Sequence, residues 1–266
     1  MIKIPIDTFV INKNETLKHE IKTEIEKLQN LLQINKGKKY KQHYQKKTVI
    51  NVSNKSLIKE CLNKFTNETY ETNILTIINL INNYEDKTVI AEDIFNICKN
   101  NIFYSELYSK LYYELIINKQ LLIFKQILDE RKDELIELYN KIEYVDAEIN
   151  YDKFCKNNKL NESIKSITTF YAHLYNKTLI DVEFIYSLIF FLIDKIKATT
   201  NDNVIFEMIE NLRIIISLTY QKIMLNSDYT KMKLLLNNIK NKEEGFKHIK
   251  NKTLFKCMDI LDLLNN

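Results

Sequence analysis

Hydrophobic residues recur every three or four positions near the start of the chain, with glutamates and lysines between them. Five of these residues share one side of a helical wheel: Leu17, Ile21, Ile25, Leu28 and Leu32. A spacing of this kind is typical of an amphipathic helix. We therefore predict a helix over residues 15–34, as the first element of an N-terminal extension that covers residues 1–53.

From Asn54 to the end, the same periodicity returns in separate segments of helical length. The predicted helices run through residues 57–65, 74–81, 90–97, 104–115, 123–142, 164–175, 184–196, 204–218, 232–239 and 254–264. Polar residues at the breaks, such as Thr66 and Ser163, are interpreted as helix caps. About ten helices with short connections predict about five antiparallel pairs that bury their apolar faces by stacking. The predicted fold class is therefore all-α, a helical-repeat (HEAT-like) solenoid over residues 54–266 with an N-terminal helical appendage.

The composition excludes several classes of function. Only two glycines, Gly37 and Gly245, and one proline occur in 266 residues. Phosphate-binding loops and dinucleotide-binding turns need backbone positions with positive φ, which glycine supplies. The cysteines and histidines show neither Cys-x-x-Cys nor His-x-x-x-His, the spacings that a zinc site needs. We predict that the protein is not an enzyme and holds no metal and no cofactor.

An acidic stretch around Asp129 and Glu137 raises the alternative of a divalent-cation site. It is interrupted by Arg131 and Lys132 and preceded by Lys125. Alternating charges of this kind are typical of a solvated helix face with ion pairs, which is the interpretation we favour.

Cysteine usage and hydropathy bear on the location of the protein. The four cysteines lie far apart in apolar helical patterns, which is typical of small buried side chains with reduced thiols. The longest apolar run, residues 184–193, has about half the length that a membrane-spanning helix needs. No signal peptide follows Met1. We expect a cytoplasmic protein.

A basic segment over residues 36–47 separates the predicted first helix from the repeat domain. Lysines and aromatic residues alternate there without any acid, and the six lysines exceed the net charge of +4 of the whole chain. Lysines can follow phosphates while tyrosine rings stack on unpaired bases, so contact with RNA is one interpretation. A solvated flexible connector and a segment that docks on a protein partner are the alternatives. The candidate contact residues are Lys38, Lys39, Tyr40, Lys41, Tyr44, Lys46 and Lys47.

Three motifs in the first half of the repeat domain carry a family resemblance. The first is Leu-Asn-Lys-Phe-Thr at residues 62–66, the second is Ile94-Phe95, and the third includes Phe103, Leu107, Tyr108 and Leu111. Together they resemble the middle domain of eukaryotic translation initiation factor 4G, a HEAT-repeat family. Weaker similarity continues through residues 170–175, 181–196, 203–216 and 255–263, so the resemblance spans about 210 residues.

The chain also departs from the family pattern. It has no Trp for the upstream contact with the helicase partner, where Tyr40 or Tyr44 is the substitute that we consider, and the family's Arg and Gly before Phe170 are absent. The family's docking motif for a cap-binding protein, Tyr-x-x-x-x-Leu-apolar, has one match at Tyr229, Leu234 and Leu235. Because that match falls within a predicted helix, we interpret it as part of the core.

The resemblance implies a translation initiation scaffold. Such a scaffold binds and stimulates a DEAD-box RNA helicase of the initiation factor 4A type, within a cap-binding complex on mRNA. The helicase contacts that it implies are Leu62, Asn63 and Lys64, with Leu62 open to a second interpretation as a core residue. A cap-binding protein that docks on the N-terminal extension, and mRNA itself, are further expected partners. The alternatives are an adaptor of the same fold in splicing, mRNA decay or nuclear cap binding, and a general helical-repeat protein that binds peptides.

Overall fold

Helices joined by short turns make up the repeat domain. A computed structural model describes Lys27, residues 54–84 and residues 86–265, and no strand occurs among them. The helices are α1 (Asn54–Asn63), α2 (Tyr70–Asn82), α3 (Lys87–Cys98), α4 (Ser105–Tyr113), α5 (Leu122–Glu130), α6 (Lys132–Tyr139), α7 (Tyr151–Asn176), α8 (Val182–Ala198), α9 (Asp202–Ile223), α10 (Tyr229–Lys240) and α11 (Asn251–Asn265). Apart from Lys27, which is helical and exposed, the predicted helix over 15–34 lies outside the described residues.

The helices form two layers that run in chain order. One layer is α1, α3, α5 with α6, α8 and α10, where each member packs on the next. In the other layer, α4 packs on α7, α7 on α9 and α9 on α11. Helices α5 and α6 together take one place in their layer, so the chain folds as five stacked pairs: α1 with α2, α3 with α4, α5 and α6 with α7, α8 with α9, and α10 with α11. The predicted all-α helical-repeat fold, with about five antiparallel pairs, is confirmed.

A continuous core lies between the two layers. Each helix contributes an apolar stripe; in α8, for example, Leu188, Ile189, Leu192 and Ile196 have no exposed surface. Burial of each such side chain stabilises the fold by about 1.5–3 kcal/mol relative to exposure. The core therefore extends through all five pairs.

A buried polar chain crosses the middle of the core. The Thr168 hydroxyl of α7 donates to Asn211 Oδ1 of α9 at 2.9 Å. Since that hydroxyl has a single proton, the Tyr139 hydroxyl of α6 is the donor in its 2.9 Å hydrogen bond with Thr168. Asn211 Nδ2 in turn donates to the Glu207 carbonyl at 2.8 Å. The chain ties three helices together with all of these polar atoms paired.

The segment predicted as one helix over 123–142 is two helices, α5 and α6, which is a correction. At the break, Arg131 has φ −94° and ψ 0°, outside the α-helical region. Arg131 pairs with Glu92 of α3 at 2.8 Å, while Lys132 pairs with Asp181 at the start of α8, also at 2.8 Å. The break lets adjacent cations reach carboxylates in the preceding and the following pair.

Helix α7 begins thirteen residues earlier than predicted, at Tyr151 rather than Ile164. Asn150 caps its start, where the side chain accepts from the Lys153 N–H at 2.9 Å. The predicted cap at Ser163 is wrong, because Ser163 lies inside the helix and its hydroxyl donates to Asn100 Oδ1 at 3.1 Å. The extra turns carry α7 past the end of α3.

The last turn of α4 widens into a π-helical turn at Glu114–Asn118. The Lys119 N–H donates to the Glu114 carbonyl, five residues back, at 3.0 Å. Gln120 follows with φ 55°, a left-handed conformation that is uncommon for a residue with a side chain. The chain then enters α5.

Candidate protein-docking site at the end of helix α1

The motif at residues 62–66 forms the turn between α1 and α2, and two of its side chains anchor that turn in the core. Leu62 and Phe65 both have no exposed surface. The Phe65 ring lies 5.4 Å from the Tyr70 ring in an edge-on arrangement and 5.9 Å from the Tyr108 ring. Aromatic pairs at this distance add about 0.5–1.5 kcal/mol to their burial.

The first hydrogen bond to the turn comes from the second helix pair. The buried Tyr108 hydroxyl of α4 donates to the Leu62 carbonyl at 3.2 Å. The last carbonyls of a helix have no partner within the helix, so a buried one needs a donor from elsewhere. Tyr108 therefore fixes the end of α1.

A second set of hydrogen bonds comes from the start of α2. The Lys64 carbonyl accepts from Thr69 Oγ1 at 2.6 Å and from Asn73 Nδ2 at 3.2 Å. The backbone N–H groups of Thr66 and Thr69 each donate to the other residue's hydroxyl, at 3.0 and 3.2 Å. The predicted cap at Thr66 is corrected, because the N-cap of α2 is Thr69, whose N–H donates to the Thr66 hydroxyl. The turn is held on both sides.

Asn63 and Lys64 are the exposed residues of the motif. Lys64 Nζ forms an ion pair with Glu60, one turn earlier in α1. The hydrogen bond that Lys64 donates to the Glu60 carboxylate raises the pKa of Lys64. The arrangement offers an amide and a cation on a rigid turn, which suits a carboxylate or a backbone carbonyl of a partner.

The prediction that Leu62 contacts a partner is wrong, because the side chain is fully buried. Leu62 belongs to the core, and its role is to hold Asn63 and Lys64 in position. The other candidate contacts lie outside the described residues: Lys38, Lys39, Tyr40, Lys41, Tyr44, Lys46 and Lys47.

An exposed aromatic residue in the loop before α4 was not predicted as a surface residue. The loop before α4 is tied to the same tyrosine, since Asn101 Nδ2 lies 3.5 Å from the Tyr108 hydroxyl. In that loop Phe103 is 92% exposed. Phe103 precedes the buried Tyr108 by five residues, which is a rotation of about 140° around a helix. Two residues at this angle lie on different faces of a helix, and this spacing is the signal in the sequence that Phe103 does not share the buried face of Tyr108. Asn63 and Lys64 form what we call the α1 docking surface.

The match to a cap-binding docking motif lies within α10, as predicted. Leu235 packs against the core, and the Tyr229 hydroxyl donates to the Leu264 carbonyl at 3.1 Å. Leu234 differs from the prediction, because it is 61% exposed. Two of the three residues are therefore structural.

Titratable groups elsewhere in the described part of the chain were compared with the sequence predictions. Over residues 54–84 and 86–265, no three His, Cys, Asp or Glu side chains are placed to hold a metal ion. Burial lowers the pKa of His173, so its imidazole is neutral at pH 7. The predicted ion-pair interpretation of the acidic stretch is confirmed at Asp129, which pairs with Lys125 at 2.7 Å and Lys132 at 3.1 Å.

Two further observations concern the whole chain and its helices. Comparison with protein-family models and with curated proteins finds no match. Among the helices that the structure describes, none combines the length and the apolar character that a bilayer crossing requires.

Proposed function

We propose that this protein is a non-catalytic scaffold in translation initiation, similar to the middle domain of initiation factor 4G. Its partner is a DEAD-box RNA helicase of the initiation factor 4A type, which it binds and stimulates on mRNA in the cytoplasm as part of a cap-binding complex. The observation that carries the proposal is the α1 docking surface, where the Asn-Lys pair of the family-like motif is exposed on a turn that buried residues hold in place.

The rigidity of this turn supports a docking role. Leu62 and Phe65 are buried beneath it, and hydrogen bonds from Tyr108 and Thr69 reach the carbonyls on either side of Asn63. A preorganised surface loses little side-chain and loop freedom on binding, which improves affinity.

A scaffold of this kind acts on the two lobes of the helicase. The resemblance implies that the α1 end touches the C-terminal lobe and that the last helices approach the N-terminal lobe. Contacts at both ends of a stack of helices favour one arrangement of the lobes, to the extent that the scaffold binds this arrangement more tightly than the others. Turnover rises where lobe opening and product release limit the rate.

The decisive experiment measures the RNA-dependent ATPase of a cognate helicase with and without the purified chain. We expect wild-type protein to raise the rate. We expect Asn63→Asp combined with Lys64→Glu to remove the stimulation, because the surface then has the wrong charge for its partner. Helical circular dichroism should not change, since both side chains are exposed.

A matched control is the same dipeptide at another helix end. Asn140 and Lys141 follow α6 and are also exposed. We expect Asn140→Asp with Lys141→Glu to stimulate as wild type does. Full stimulation by the Asn63/Lys64 variant would refute the docking site. A wild-type chain that neither binds nor stimulates any helicase, while host proteins of splicing, mRNA decay or nuclear cap binding are captured, would refute the proposed process.

A further inference from the structure

Lysines that form no ion pair within the described residues lie in and around the loop between α10 and α11, far along the chain from the α1 docking surface. Residues 240–252 contain five lysines and two glutamates. Four of these lysines, Lys240, Lys247, Lys250 and Lys252, are exposed, and Lys242 is half-buried. No family-like motif covers this loop.

The fold adds a further lysine and holds the loop in place. Gly245 has φ +91°, and its Cα position is so close to Lys197 of α8 that a Cβ there would lie 2.7 Å from Lys197 Cε. The Lys250 N–H donates to Asp202 Oδ1, at the start of α9, at 2.9 Å. The loop therefore lies against the α8–α9 connection, and Lys197 joins the cluster.

Carboxylates neutralise a number of the lysines elsewhere in the repeat domain. Lys165 and Lys256, for example, pair with Glu207 and Glu210 of α9 at 3.0 and 3.2 Å. Within the described residues, Lys197 and the five loop lysines make no ion pair with a carboxylate. Lys242 Nζ instead lies 3.5 Å from Asn251 Oδ1. Unneutralised positive charge of this density attracts a polyanion.

Aromatic rings lie beside the cations at the start of α11. Lys252 Nζ lies 4.2 Å from the centre of the Phe206 ring. Phe255 follows Lys252 by three residues, so the two side chains share a helix face, and Phe255 is 62% exposed. An acidic peptide would use the charges but has no need of an open ring. The bases of an unpaired strand stack on such rings while lysines contact the phosphates.

We propose that the α10–α11 loop, with Lys197 and Phe255, binds single-stranded nucleic acid. The phosphates lie along the lysines and one base stacks on Phe255. Lysines that act on phosphates do not read sequence, so binding is tolerant of base composition. This site is independent of the helicase proposal, because it uses different helix pairs and needs no ATPase to be seen.

The first test measures how the affinity for fluorescein-labelled 15-nucleotide U and dT strands depends on salt. The chain of 266 residues is used, with lysines 36, 38, 39, 41, 46 and 47 changed to Gln so that binding by the N-terminal segment does not mask binding by the loop. Each phosphate contact on a single strand contributes about 0.7 to the slope of log affinity against log salt concentration. We therefore expect the triple variant Lys242→Gln, Lys247→Gln and Lys250→Gln to have a slope that is smaller in magnitude by about 2. Both strands should respond alike.

The control changes the same number of charges elsewhere. Lys59, Lys87 and Lys159 are exposed on α1, α3 and α7. We expect their joint change to Gln to leave the slope within about 0.5 of the parent value, less than one phosphate contact. Equal losses in the two triple variants, or no loss in the loop variant, would show that the loop is not the site.

The second test separates nucleic acid from other polyanions. We expect Phe255→Ala to weaken U-strand binding at least fivefold, since stacking on one ring is lost, and to leave the affinity for heparin, which has no bases, unchanged. Equal effects on both ligands, or none on either, would overturn the stacking role and with it the proposed ligand. Far-ultraviolet circular dichroism of each variant confirms the fold.

Discussion

At the scale of single residues, the hydroxyl of Tyr108 decides how firmly the α1 docking surface is held. It is the donor that reaches the Leu62 carbonyl from the second helix pair. We expect Tyr108→Phe to lower the free energy of unfolding by about 1 kcal/mol, because the Leu62 carbonyl loses its side-chain donor and keeps only the 3.4 Å hydrogen bond from the Phe65 N–H. Urea denaturation measures this change.

Tyr104→Phe provides the comparison for that substitution. The Tyr104 ring lies 6.0 Å from the Tyr108 ring, and its hydroxyl makes no hydrogen bond to a residue that the structure describes. The loss should therefore stay below about 0.5 kcal/mol, as is usual for surface changes. An equal effect of the two substitutions would mean that the Tyr108 hydrogen bond contributes nothing.

The same turn shows what a sequence can and cannot reveal about a site. The motif predicted that Asn63 and Lys64 belong together at a helix end, and they do. It left Leu62 open between core and surface, because a leucine at a helix end fits both environments and only the position of the second pair buries it. The sequence pattern groups Phe103 with the apolar residues of the third motif. In a loop that precedes a helix, the pattern does not determine which face a residue occupies.

At the scale of elements, the contact between α6 and the start of α8 predicts a pH-dependent stability. Burial alone would raise the pKa of Asp181, but hydrogen bonds from Lys132 and from the Phe184 N–H outweigh it and lower the pKa. A carboxyl whose pKa is lower in the folded state stabilises the protein above about pH 4, and the effect disappears as the pH falls through the folded-state pKa.

Asp181→Asn tests this contact, because an asparagine still caps α8 but carries no charge. We expect a loss of under about 1 kcal/mol at pH 7, since the pair is partly exposed, and a smaller loss near pH 3. Thermal melts at both pH values measure it. Lys132→Met should show the same pH dependence, and a loss that is as large at pH 3 as at pH 7 in the Asp181 variant would assign the effect to packing.

Helix boundaries were the least predictable part of the fold. The apolar positions of α5 and α6 keep helical spacing through Phe124, Ile127, Leu128 and Leu135, so periodicity alone predicts one helix. The break at Arg131 depends on carboxylates in other pairs, which are distant in sequence. The start of α7 was missed for the opposite reason, because its first turns are polar and exposed. Pair number and order, which follow from connection lengths, were predicted.

At the scale of the whole molecule, each helix pair of a stack contacts only the adjacent pairs. A destabilising substitution in one pair is therefore expected to destabilise that pair and its neighbours only. Leu261 of α11 is buried in the last pair. We expect Leu261→Ala to cost about 2–5 kcal/mol. Hydrogen exchange read by mass spectrometry should show faster exchange in α10 and α11, with α1 to α3 unchanged.

Leu62→Ala at the other end serves as the mirror-image control. It should accelerate exchange in α1 and α2 and leave α10 and α11 protected. If either substitution raised exchange evenly along the whole domain, the repeat domain would behave as one cooperative unit and not as an array of coupled pairs.

The π-helical turn at Glu114–Asn118 affects how the sequence of this protein aligns with those of its relatives. A hydrogen bond that spans five residues holds one residue more than an ordinary helical turn needs. Removing that residue would restore regular winding without moving the helices on either side. Relatives of this protein can therefore be one position shorter between 114 and 118, and an alignment that forbids a gap inside a helix would shift every later position by one.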